Sequence, residues 1–327
     1  LMIAVENNNI ELIELLIGIP QTDINKRNFL QQTPLTIAVK KKREKVVPLL
    51  VDNERFDPVE SRLNYAFFES SGQISSQLIS VEGLDVNYKL EGAVEKYQEI
   101  NSNNDGYYGY YLSKYQTKRP IEKVSVFETT LIHAVSTNDV EMVDMIINHS
   151  SFDPVKSQLK TAIFISAQKN LGEIFKKLLK LIDDDVNVIC QNGQSLLITA
   201  VRSESQEIVT RIVNHSNFNP LKSELFQAFL IASYIDEETE VAESSEAMIN
   251  IMNILCKYDS ENGKLIRFDN LLPNGKSYFT SIDRNLKNLQ ELVAFFLDHN
   301  VDVNTPDANG GYPLEYAIGI NSLNFVK

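Results

Sequence analysis

The chain has no tryptophan, two cysteines, four histidines and 13 glycines in 327 residues. Cys190 and Cys256 lie far apart in sequence and form neither a disulfide framework nor a zinc-ligand spacing, which points to a reducing compartment. In that setting the Asn-x-Ser matches at Asn148 and Asn214 are not glycan acceptors. Glycine falls well below the average of about 7%, which argues against collagen-like, loop-dominated or many-turned all-β designs and favours helix. Basic residues are scarce: 31 Lys and Arg face 44 Asp and Glu, and the net charge of −13 repels phosphate backbones. Nucleic acid is therefore excluded as the main partner. No apolar run approaches the roughly 20 residues a bilayer demands. The run Leu12 to Ile19 contains Glu14 and stops at Pro20, so no membrane span is expected. No basic segment precedes an apolar one at the start of the chain, so no secretory signal is expected either.

What is present is an ordinary globular balance, 43% apolar and 23% charged, over about twice the usual single-domain length, which leaves two domains or one repeat array. The repeats decide. The segment from Ile146 to Leu159, with Asn148-His149-Ser150-Ser151-Phe152-Asp153-Pro154, returns as Asn214-His215-Ser216-Asn217-Phe218-Asn219-Pro220 in the segment ending at Leu225. Leu131-Ile132-His133-Ala134-Val135 returns as Leu197-Ile198-Thr199-Ala200-Val201, and Ala167 lies midway between Ala134 and Ala200. The unit is thus about 33 residues long, a period that marks a repeat array. Within one unit, Leu131, Ala134 and Val135 are followed by Asn138, then by Val140, Val143, Ile146 and Ile147 at helical spacing. This predicts helix, turn, helix. Asn8 and Asn138 fall at the turn, where a residue tolerant of the left-handed conformation is needed.

These residues resemble the ankyrin repeat family. Its Thr-Pro-Leu-His-x-Ala signature appears as Thr33-Pro34-Leu35-Thr36-Ile37-Ala38 and, degraded, around His133 and at Tyr312-Pro313-Leu314-Glu315-Tyr316-Ala317. Its closing Asp-Val-Asn appears at Asp23-Ile24-Asn25, Asp85-Val86-Asn87, Asp185-Val186-Asn187 and Asp302-Val303-Asn304. The resemblance implies an all-α solenoid of about nine helix-turn-helix units, the first and last truncated. Alternate units depart from the pattern: those opening at Phe56-Asp57-Pro58, Phe152-Asp153-Pro154 and Phe218-Asn219-Pro220 lack Thr-Pro-Leu-His, so the loops ahead of them should be shorter or differently bent. Pro48 falls inside a second helix, where it is tolerated if that helix starts near Glu44. Leu1 and Lys327 both fall inside a repeat, and the stack is expected to continue, or to dock, at both ends. The richness in Asn, Ile and Lys resembles the degenerate arrays of unicellular protists.

Two insertions break the period. Repeats 1–3 occupy 1–87, a tyrosine-rich insertion 88–125, repeats 4–7 begin in 126–235, an acidic insertion fills 236–246, and the rest of repeat 7 with repeats 8 and 9 fills 247–327. The first insertion holds Tyr107, Tyr108, Tyr110 and Tyr111 in a glycine-rich stretch that either packs over the flanking repeats or contacts a protein partner, for which tyrosine is well suited. The acidic insertion reads as a solvated loop or a docking site for a basic partner. Lys40, Lys41, Lys42 and Arg43 reverse the charge at the turn of the second repeat, as a solvated turn or an electrostatic contact to an acidic protein surface. The candidate binding set is Asn28, Phe29 and Leu30 at a finger-loop tip, Lys40–Arg43, and the four tyrosines.

No nucleophile with a base, carboxylate pair, phosphate loop or metal cluster emerges, and repeat register accounts for His133, His149, His215 and His299. Asn-Gly-Gln-Ser at 192–195 and Asn-Gly-Lys-Ser at 274–277 lack the upstream glycine of a phosphate loop. The expectation is a non-enzymatic scaffold that binds other proteins and takes no cofactor, metal or small-molecule substrate. It would lie in the cytoplasm, in a cytoskeletal or axonemal assembly. The alternative is a regulatory or targeting segment of a larger enzyme or channel.

Overall fold

The structure is a computed structural model and describes residues 1–90, 128–182, 186–190, 193–233, 246–262, 265–268, 271–272, 274–282 and 289–319. It divides into two units, Leu1–Ala162 and Ile163–Lys327. Both are built from the predicted helix pairs.

In the first unit the pairs are α1 (Met2–Glu6) with α2 (Ile10–Ile17), α3 (Pro34–Lys40) with α4 (Val46–Val51), α5 (Leu63–Phe68) with α6 (Gln73–Leu78), and α7 (Thr130–Ser136) with α8 (Val140–Ile147). First helices pack on first helices, α1 on α3, α3 on α5 and α5 on α7, while α2, α4 and α6 form a second row. The helix α9 spans Leu159–Gln168. The second unit continues with α10 (Gly172–Leu179), α11 (Leu196–Arg202), α12 (Gln206–Val213), α13 (Leu225–Ala232), α14 (Glu246–Asn262), α15 (Tyr278–Ser281), α16 (Leu289–Asp298) and α17 (Pro313–Gly319).

Side-chain caps explain why helices this short form. Thr33 accepts the Thr36 amide while Thr36 Oγ1 accepts the Thr33 amide, and Pro34 follows at a position whose missing N–H costs nothing. Ser277 and Thr280 repeat this reciprocal pair at α15, while Thr129 and Ser195 cap α7 and α11 by accepting the amides of Ile132 and Ile198. Asn9, Asp139 and Ser205 cap the second helices α2, α8 and α12. The inter-helix turns are left-handed where predicted, at Asn8 (φ 54°) and Asn138 (φ 57°), and also at Lys42, Asn170 and Glu204. Pro48 is the third residue of α4, inside the first turn, where the backbone N–H has no intrahelical partner to lose. The core is apolar and closed: Ala38, Val46, Val47, Phe67, Ala134 and Val143 are buried in the first unit, and Ala167, Ala200, Ile208, Phe229 and Phe296 in the second. Alanine recurs on the first helices because neighbouring helices approach closely there.

Four first helices, α3, α11, α15 and α17, are preceded by a tight finger. Asn28 N bonds to Gln32 O and Gln31 N to Asn28 O, and the same pair of bonds recurs at Cys190–Gln194, Leu272–Lys276 and Asp307–Gly311. The left-handed position of the finger holds Gly193, Gly275 and Gly310 in three cases but Gln31 (φ 58°) in the fourth. Replacing Gln31 by Gly should therefore raise stability by about 0.5–1 kcal/mol, the relief of left-handed strain exceeding the added chain entropy. A urea melt checks it.

α14 is twice as long as its counterpart α12 and buries Met248, Ile251, Met252, Leu255, Cys256 and Asp259 along one stripe. Burial, assisted by the Asp259 carboxylate, pushes the Cys256 thiol up to about 12. Its folded value thus lies above the unfolded one, so the stabilisation is full below about pH 9 and is lost as pH climbs from there toward 12. At pH 8, iodoacetamide should label half-buried Cys190 in the native protein and reach Cys256 only on unfolding. Equal native rates would contradict this burial.

Candidate functional site

The alternation seen in the sequence has a specific structural meaning. In the units that open with Phe-Asx-Pro, the finger is replaced by a single helical turn. The Asp57 carboxylate accepts the amides of Val59 and Glu60, Ser61 N bonds to Asp57 O, and Arg62 takes a left-handed conformation before α5 begins. Asp153 and Asn219 do the same for the next two copies, with Gln158 and Glu224 left-handed. Chiefly the Lys156 amide holds the Asp153 carboxyl below its ordinary range.

The asparagine that closes the preceding Asp-Val-Asn clamps this turn. Asn87 Nδ2 donates to Ser151 O at 2.8 Å, while its Oδ1 accepts Asp153 N at 2.8 Å and the buried Ser157 hydroxyl at 2.7 Å. Asn25 makes the same three bonds to Arg55 O, Asp57 N and Ser61 Oγ, and Asn187 makes them to Asn217 O, Asn219 N and Ser223 Oγ. The carbonyls of Ser61, Ser157 and Ser223 in turn accept the hydroxyls of the caps Thr33, Thr129 and Ser195. The structural unit is thus a pair of unlike repeats.

The clamped edge presents apolar side chains to solvent. Phe29 is fully exposed, Leu30 is 76% exposed and Val59 is 77% exposed. Asn28 organises the tip, its Oδ1 accepting the amides of Leu30 and Gln32. Two arginines tie finger to neighbouring turn: Arg27 donates to the carbonyls of Val59 and Glu60 and pairs with the Glu60 carboxylate at 3.4 Å, and Arg62 donates to Gln31 O at 2.7 Å. The valine position repeats as exposed Val155 in the first unit and Leu221 in the second. A fixed backbone with exposed apolar tips loses little entropy on binding, which suits it to recognition.

Lys40, Lys41, Lys42 and Arg43 stand at the far end of α3 from the finger, so the structure separates the two predicted groups by the length of that helix, about 10 Å. Lys40, Lys41 and Lys42 are exposed, whereas Arg43 is half-buried and donates from Nη2 to Glu6 O at 2.7 Å. Tyr107, Tyr108, Tyr110 and Tyr111 lie outside the described residues, as does all of the acidic insertion except Glu246. The root of the tyrosine insertion is described. β1 (Lys89–Leu90) pairs antiparallel with β2 (Glu128–Thr129), in register Lys89 with Thr129 and Leu90 with Glu128. Because Thr129 is the counterpart of Thr33, the insertion leaves from a finger position, on the edge that carries Phe29 and Leu30.

The histidines are held by local contacts. His133 lies against the Phe68 ring at 4.4 Å between centroids, with Nδ1 3.4 Å from buried Glu128. His299 stacks on Phe295 at 4.1 Å, and His149 Nδ1 meets Ser151 Oγ. Among the described residues no group of three His, Cys, Asp or Glu converges on a metal-sized site, and no helix is long and apolar enough to cross a membrane.

Paired helices, left-handed turns and fingers define a repeat protein. Residues 1–89 match the family model for ankyrin repeats, in three copies, and the helix pairs beyond them follow the same helical repeat. Among solved structures it is similar to the ankyrin repeat domain of Bcl-3, described as a unique member of the IkappaB protein family, at 14% identity over 98% of this chain and 96% of that one, with a TM-score of 0.27. No curated protein matches the chain.

Proposed function

We propose that the protein is a non-catalytic scaffold that binds partner proteins along the finger edge of its first unit. Ankyrin repeats are protein-interaction modules, and the observation that carries the finer assignment is the finger of Phe29 and Leu30, exposed yet tied through Arg27 and Arg62 to the next repeat. Apolar side chains of this size in water cost solubility unless a partner covers them. A cytoplasmic place in a cytoskeletal assembly is part of the proposal, supported for the compartment by a sequence with only two cysteines, Cys190 and Cys256, far apart.

The test compares wild type with a Phe29→Ser/Leu30→Ser variant in pull-downs from the native cells. Because both side chains are exposed, the variant should keep its helical circular dichroism and its unfolding free energy to within about 0.5 kcal/mol. It should lose about tenfold or more of any stoichiometric partner that withstands high salt, as expected for apolar anchors. Retained capture would sink the edge assignment. Sedimentation of that partner with the soluble fraction would remove the cytoskeletal placement.

A further inference from the structure

We infer that the turn from Lys40 to Lys45 is a second docking site, for a short acidic segment of a partner protein. Its lysines occupy a rigid mount. The amides of Lys41, Lys42 and Arg43 are spent on the last carbonyls of α3, at Ile37, Val39 and Ala38. Arg43 ties the turn to Glu6 O on one side, and Gln77 Nε2 ties Glu44 O on the other. From this mount Lys40, Lys41, Lys42 and Lys45 are exposed, and none has an ion-pair partner among the described residues. Glu44, also exposed, is the one carboxylate within the turn, and the corresponding ends of α1 and α5 carry Glu6 and Glu69.

The second observation is that these residues make a poor turn. The bond from Arg43 N to Ala38 O is the counterpart of Asn9 N to Ala4 O, Asp139 N to Ala134 O and Ser205 N to Ala200 O. Asn9, Asp139 and Ser205 each cap the following helix with a side-chain oxygen; an arginine has none to offer, and α4 has no side-chain cap. The left-handed position before it holds Asn8 and Asn138 in two homologous turns but Lys42 here. Glu204 is equally strained but is followed by the cap Ser205, and uncapped α10 has Asn170 at its left-handed residue. Lys40 and Lys41, at the end of α3, suit the dipole of that helix, but Lys45 at the start of α4 opposes the dipole there. The left-handed Lys42, the missing cap and Lys45 are thus not accounted for by helix formation, and they are kept in a chain of net charge −13.

The same net charge selects the occupant. A duplex or an anionic bilayer is extended, and on approach it meets the field of a chain of net charge −13 as well as the lysines. Screening confines attraction to about 8 Å at physiological salt, so a short acidic segment can sit on the lysines alone.

Fluorescence anisotropy with a labelled Glu/Asp-rich peptide tests this on the full chain, with an Asn/Gln peptide of equal length, anionic vesicles and a short DNA duplex as alternatives. The acidic peptide should bind, and its affinity should fall about tenfold between low and physiological salt. Lys40→Gln/Lys41→Gln/Lys45→Gln should weaken it about tenfold or more. Lys42→Asn is the discriminating variant. It should raise the melting temperature by relieving strain while weakening the peptide about two- to threefold, a combination that a purely structural turn would not give. Unchanged binding in both variants, or tighter binding of vesicle, duplex or neutral peptide, would overturn the proposal. Phe29→Ser/Leu30→Ser should leave the peptide affinity unchanged, so failure here and failure of the finger edge are separable.

Discussion

Replacing Asn87 by Ala should lower the unfolding free energy by about 3–4 kcal/mol, far more than a typical surface change. Asn87 is 8% exposed and its amide makes three bonds at once. Truncation leaves the hydroxyl of fully buried Ser157, the Asp153 amide and the Ser151 carbonyl without their partner. Each unsatisfied buried group costs about 1–3 kcal/mol, which entering water partly offsets. The position matters as much as the bonds. Asn87 precedes the 91–127 segment and its partners follow it, so this side chain and the β1–β2 ladder hold the repeat register across the insertion. Asn25, half-buried and bridging an uninterrupted stretch, should cost less when truncated. A double-mutant cycle in urea of Asn87→Ala with Ser157→Ala should show coupling of about 1 kcal/mol or more, because removing both partners spares the orphaned hydroxyl. Simple additivity would contradict the clamp.

That clamp shows where sequence reading stopped. Asp85-Val86-Asn87 and Phe152-Asp153-Pro154 are both visible as repeated strings, but the link between them skips an entire intervening repeat, and no local pattern carries it. What depended on local chemistry was readable: the 33-residue period gave the helix pairs, Asn8 and Asn138 marked the left-handed turns, and Pro48 sat harmlessly in a first turn. The missing signature in alternate units announced a differently bent loop, which is the single turn capped by Asp57, Asp153 or Asn219. Left-handed Gln31, Arg62, Gln158 and Glu224 were unreadable, since neighbouring structure rather than residue type imposes that conformation. Within the candidate site, exposure of Phe29 and Leu30 followed from their place in a finger, whereas the ties of Arg27 and Arg62 required the fold. Arg43 looked like its neighbouring lysines until its guanidinium was found on the carbonyl of Glu6.

The second large effect is expected at Phe296, where the second unit relies on aromatic packing. α15 has only four residues and α16 follows it, so backbone bonding alone gives these repeats little. Fully buried Phe296 gathers Tyr278 at 5.3 Å, Phe295 at 5.7 Å, Phe279 at 5.9 Å and Phe268 at 6.4 Å between ring centroids. Phe229 on α13 joins the same cluster through Tyr278 and Phe295, and the Tyr278 hydroxyl is satisfied by Arg267 O. Phe296→Ala therefore removes a ring whose four neighbours cannot collapse together without breaking their own edge-to-face contacts. The expected loss is about 4 kcal/mol, from transfer, the residual cavity and the lost ring pairs. Phe296→Leu fills most of that volume and should lose about half as much. In a repeat array such a loss should appear first as local opening, because each repeat is stabilised mainly by its immediate neighbours. Hydrogen exchange should accordingly quicken in α13, α15 and α16 at denaturant concentrations that leave α3 and α5 protected. A loss below about 1 kcal/mol for the alanine variant would mean that the rings are not close-packed and that the caps Ser277 and Thr280 hold this region instead.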